Sequence, residues 1–159
     1  SEVEKKREEN LEKIQERVSK FTENVLERYE AAIERIEKLA SRIESRITKM
    51  EANQIDVKKA KELMAIAKVK IETAKTSVAG ISLDAELVST STATTTNAFK
   101  ADFQKLRTQL ENAKKDIKSA HTALVDVINN LKPGLNRATT TKATSTTPVA
   151  TSTATTTNP

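Results

Sequence analysis

Residues 29–50 read YEAAIERIEKLASRIESRITKM, with apolar side chains at Tyr29, Ile33, Ile36, Ala40, Ile43, Ile47 and Met50. Steps of three and four mark one face of an α-helix that packs on other helices, because about 3.6 residues make a turn. Followed backward, the stripe continues through Val25, Phe21, Val18, Ile14 and Leu11, so one helix is expected over about residues 2–52. Two steps of four meet at Val25–Tyr29–Ile33, a stutter that locally relaxes a left-handed supercoil. Acids four residues ahead of bases, as in Glu9–Lys13, Glu16–Lys20 and Glu34–Lys38, support the exposed side.

Downstream the same pattern recurs twice. Ala52–Asp56 (ANQID) breaks the first helix, with Asn53 expected in a left-handed cap and Asp56 as the next N-cap. A second helix over about 56–88 places Val57, Ala60, Met64, Ala67, Ile71, Ala74, Val78, Ile81, Ala85 and Val88 on one seam, with Gly80 inside it. Residues 89–97 are a Ser/Thr-rich connection. A third helix over about 97–131 carries Phe99, Phe103, Leu106, Leu110, Ala113, Ile117, Ala120, Leu124, Val127 and Leu131. Pro133 and Gly134 close it. Residues 133–159 are mostly Thr, Ser and Ala, which bury too little apolar surface to order themselves, so a disordered tail is expected there. Thr90–Asn97 recurs identically as Thr151–Asn158, either low-complexity drift or a shared spacer.

The composition agrees with an all-α reading. In 159 residues, 36% apolar and 3% aromatic side chains supply narrow seams more readily than a wide globular core. All three prolines lie at or beyond Pro133, which leaves residues 1–132 without the strongest helix breaker. There is no cysteine, and no apolar run approaches the roughly 20 residues that span a bilayer. A chain that starts at Ser1 without methionine is expected to be a processed product, with a removed signal peptide as one route.

The seams imply a register. Folding the second helix back on the first makes layers of Met50 with Met64, Ile43 with Ile71 and Ile36 with Val78. In the same register Glu37 faces Lys75, Glu44 faces Lys68 and Glu51 faces Lys61 across the flank. For the third helix, Ala67 is expected against Ile117 and Ile81 against Phe103, with Lys70 facing Asp116 and Asp84 facing Asp102. The expected fold is therefore an antiparallel up-down-up three-helix coiled-coil bundle over residues 25–132, with residues 1–24 overhanging.

Two surfaces remain. Leu11, Ile14, Val18 and Phe21 continue the seam into the overhang, either as a frayed arm or as a contact for a second copy or another helix. Lys100, Arg107, Lys114 and His121 form a row on the third helix, with Arg46 opposite and no acid facing them. That row is either a solvated flank or a site for an anionic partner such as a cell-wall polymer, lipid head groups or nucleic acid. Nucleic acid is the weakest fit, since no aromatic is interleaved for base stacking. No cofactor or metal is expected: His121 is the only histidine and has no second ligand one turn away. Nor does any base stand beside a Ser or Thr to activate it, so no enzyme is expected.

The stretch from Ile33 to Met50, the Ala/Lys-rich second helix, the Ala120–Ile128 segment (AHTALVDVI) and the Thr-rich end together resemble exported, uncharacterised helical proteins of ultrasmall candidate-phyla bacteria. The resemblance implies export and an envelope or extracellular location, with the cytoplasm as the alternative. The expected function is a non-catalytic structural or protein-interaction module, a helical rod on a Thr-rich tether. A periplasmic-type helical chaperone or adaptor is the alternative from the binding class.

Overall fold

The computed structural model describes residues 1–90 and 96–132. Three helices follow one another, α1 (Glu2–Ala52), α2 (Lys58–Thr90) and α3 (Thr96–Asn130), and they pack as an up-down-up bundle. Gly80 lies inside a continuous α2, and a Cβ added there would meet nothing within 4 Å. The expected tail and the middle of the Thr-rich connection lie outside the described residues, as does the second copy of the repeat.

The turn between α1 and α2 departs from expectation by one residue. Asn53 has φ −87, and Gln54 takes the left-handed conformation at φ 60. The Ile55 amide then donates to the Met50 carbonyl at 3.0 Å, closing the helix end. Asp56 acts as expected: its Oδ1 accepts from the Lys58 amide at 3.0 Å and caps the start of α2.

The α1–α2 register follows the sequence. Lys75 pairs with Glu37 at 2.8 Å, Lys61 with Glu51 at 2.6 Å, and Lys68 with Glu44. Beneath these pairs Ile36, Ala40, Ile43 and Ile47 are buried with Met64, Ala67 and Ile71 in one cluster.

The α2–α3 register is a correction. Asp116 meets Ser77, whose hydroxyl donates at 2.5 Å, one heptad along α2 from the expected Lys70. Asp84 accepts from Gln109, one heptad along α3 from the expected Asp102. A shift of seven residues keeps every seam residue on the seam, so hydrophobic period alone does not distinguish the two arrangements. The observed one separates Asp84 from Asp102. It also carries Leu131 from beyond the start of α2 into the core, where it is 2% exposed beside Ala60 and Val127. Burying a leucine contributes about 1.5–3 kcal/mol, which favours this register.

Shifting α3 by a heptad also shortens the overhang. The start of α3 reaches about 10 Å further along α1. Val18 and Val25 pack against the upper cluster, and Thr22 is fully covered, its hydroxyl donating to the Val18 carbonyl at 2.8 Å. The free arm is therefore residues 1–17 and not 1–24.

Candidate functional site

The arm carries the first candidate surface. Of the four expected residues, Ile14 (42% exposed) and Phe21 (55%) face solvent, whereas Leu11 and Val18 are half-buried. Val3, unremarked in the seam, is 61% exposed. At about 100° per residue, Val3, Ile14 and Phe21 fall within roughly 20° of one another, so they form one stripe. Val18 lies on the core side instead. Charged neighbours hold the arm helical: Lys20 bonds Glu16 at 2.9 Å and keeps its carboxyl below the usual range, while the Lys20 ammonium is itself raised by Glu16.

The basic row is the second surface. Lys100, Arg107, Lys114 and His121 are all exposed, and Arg107 lies 3.7 Å from Glu111 on its own helix. Arg46 is not opposite His121. Its Nη2 donates to the Leu131 carbonyl at 3.5 Å, about 15 Å further along α3. The heptad shift moves the arginine to the C-terminal end of α3, where cations suit the unpaired carbonyls. On the same flank the Tyr29 hydroxyl donates to the Leu110 carbonyl at 3.1 Å. Burial, and secondarily the Glu111 carboxylate, raise its pKa.

The chemistry of other depressions is sparse. A depression of about 260 Å³ between α1 and α2 is lined by Glu44, Ile47, Lys61, Met64, Ala65 and Lys68. Its charged rim is already engaged in cross-helix ion pairs. Among the described residues no group of three or more His, Cys, Asp or Glu is placed to hold a metal ion, and no helix is long and apolar enough to cross a membrane.

Comparison with protein-family models, with curated proteins and with solved structures finds no match. The functional reading therefore rests on the surfaces themselves.

Sequence periodicity passed over several surface residues. Ile66, Val69 and Leu83 are exposed on the outer face of α2, off its three-four seam. Arg28, Arg35, Arg42 and Lys49 recur every seven residues along α1 and are all exposed. Their spacing is visible in the sequence, but its meaning depends on which flank of α1 meets α3.

Proposed function

We propose that the chain is a non-catalytic structural or protein-interaction module, a helical rod that joins a second helix through residues 3–21 of α1. The observation that carries this reading is the Val3–Ile14–Phe21 stripe, three large apolar side chains left exposed on one side of a helix. A lone apolar residue on a surface is ordinary, but an aligned set along an unpartnered helix is the form that helix docking takes. The partner in this reading is a second copy of the chain. The likeness to exported helical proteins adds an envelope or extracellular setting.

Sedimentation of the full chain against Ile14→Gln/Phe21→Gln tests the contact. Concentration-dependent association is expected for the former and a monomer of unchanged helicity for the latter. A full chain that stays monomeric at high micromolar concentration would sink self-association. Immunodetection in fractionated native cells tests the setting, and confinement to the cytosol would remove it.

A further inference from the structure

Charges on α1 are sorted by flank. From residue 27 to residue 51 its acids are Glu27, Glu30, Glu34, Glu37, Glu44 and Glu51. Three of these, Glu37, Glu44 and Glu51, bond lysines of α2. They occupy one heptad position together with Glu30, and Glu27 and Glu34 lie beside them, so all six belong to the α2 side. Arg28, Arg35, Arg42 and Lys49 take the heptad position on the other side, next to Arg46, which reaches the end of α3. No acid of this stretch falls on the α3 side.

The facing flank of α3 repeats the bias. Lys100, Arg107 and Lys114 lie along it, with Lys118 one helical turn from Lys114, and all four are exposed. Its acid is Glu111, already beside Arg107. The acids Asp102 and Asp116 belong to the opposite flank, toward α2, where Asp116 takes the Ser77 hydroxyl. Among the described residues, Arg107–Glu111 is the one ion pair on the α1–α3 face. Two parallel cationic columns therefore run side by side, that of α1 about 31 Å long at 1.5 Å per residue. Between the columns lies the heptad row of α1 that holds Ala32, Leu39 and Arg46, with Ala32 and Leu39 half-buried.

Folding does not call for this arrangement. Like charges gathered on one face repel one another, and the α1–α2 flank shows that this chain uses opposite charges where only association is at stake. We infer that the α1–α3 face binds a linear phosphate polymer, laid between the columns and held by its phosphate groups. Arginine supplies much of the face, and its planar fork matches phosphate oxygens in pairs. Of the aromatic groups near it, Phe99 is buried, Tyr29 is tied to Leu110 and Phe103 is half-buried, so bases would find no series of rings to stack on. A cationic face that runs lengthwise along two helices meets an extended chain along its whole length, whereas a duplex would touch it only where strands cross. This surface is separate from the arm and does not depend on the arm's role.

The test is titration of fluorescent inorganic polyphosphate with the full chain over a series of salt concentrations. Arg35→Gln/Arg42→Gln/Lys114→Gln removes three exposed charges from the face. Lys58→Gln/Lys59→Gln/Lys105→Gln removes three exposed charges elsewhere and reaches the same net charge. Thermal melts by circular dichroism establish that both variants are folded. The face variant should bind at least about tenfold more weakly, with a log–log salt slope smaller by about 2, as expected for three lost contacts to a flexible polyanion. The control should stay within about threefold. Equal losses in both variants would show a mere effect of net charge and overturn the site. Polyglutamate binding as tightly as polyphosphate would overturn the phosphate assignment. Tighter binding of duplex DNA would assign the face to nucleic acid instead.

Discussion

The two flanks of α1 are both lined with charge, acidic on one and basic on the other, and are treated in opposite ways. Toward α2, Glu37, Glu44 and Glu51 each meet a lysine, and the pairs specify which way the helices run. Toward α3, the column from Arg28 to Lys49 takes part in no cross-helix ion pair among the described residues. Exposed ion pairs contribute little stability, so neither pattern exists mainly to hold the bundle up. That work falls to the core, where Ala67, Ala113, Ala120, Leu124 and Val127 are completely buried. The lesson is one of contrast: a compensated flank describes the fold, and an uncompensated flank on the same helix points outside it.

This contrast rests on where α3 sits, and Leu131 reports that position most sharply. In the observed register Leu131→Ala opens a cavity at the lower end of the core and should cost about 2–4 kcal/mol in chemical denaturation. One heptad away the same side chain would lie past the start of α2, and its truncation would be nearly silent. A silent Leu131→Ala would therefore displace the basic row and remove Arg46 from the end of α3.

The same residue explains how far the sequence could be read. Three helices and their seams follow from period alone, and the α1–α2 register was legible because the turn is short. Between Ala52 and Lys58 there is no slack for a slip of seven residues, about 10 Å. The connection before α3 is no longer between helix ends, but its run of Ser and Thr carries no breaker to mark where α2 stops, so the sequence left the register open, and both registers keep the apolar residues inward. The burial of Leu131 and two polar contacts, Asp116 with Ser77 and Asp84 with Gln109, break the tie. A carboxylate that accepts from a neutral side chain leaves no pattern of opposite charges to search for. The candidate surfaces inherited this ambiguity, since Val18 joined the core and Arg46 left the row when α3 moved. The Arg28–Lys49 column was visible as a spacing, but its side of the bundle was not.

Gly80 provides a calibration that belongs to neither flank. It is exposed, helical and without neighbours for an added methyl group. Gly80→Ala should raise stability by about 1 kcal/mol. A loss would mean that something close to the outer face of α2 needs the space.

Tyr29 probes the α1–α3 contact directly. It is the only tyrosine, and there is no tryptophan, so ultraviolet titration reads it without interference. Its neutral hydroxyl is favoured in the fold, so ionisation should occur above the ordinary value of 10.0. The sign follows: this contribution to stability is present below pH 10 and is lost as pH rises through the higher folded value. Tyr29→Phe should cost about 0.5–1.5 kcal/mol at neutral pH by losing the bond to Leu110, and should flatten the alkaline decline relative to the native chain. A tyrosine that ionises at its ordinary value would place its hydroxyl in water and loosen the α1–α3 contact.

The smallest expected effect bears most directly on the two flanks, because its sign differs between them. Glu44→Lys sets a cation against Lys68 and should lower the melting temperature. Arg42→Glu sets an anion among cations and should raise it, each change amounting to roughly 0.2–1 kcal/mol at low salt. Added salt should shrink both, since exposed charges are screened beyond a distance of about 10 Å at 0.1 M. Net charge alone would favour the same signs, because an anion brings a chain of +5 closer to neutrality. Lys59→Glu separates the two causes: it changes net charge as Arg42→Glu does but replaces the lysine 3.7 Å from Glu62, away from both flanks. Stabilisation by Arg42→Glu together with loss in Lys59→Glu assigns the effect to the α1–α3 face. A protein that becomes more stable when this face is made acidic carries its arginines there at a cost to folding, and that cost is what a bound polyanion would offset.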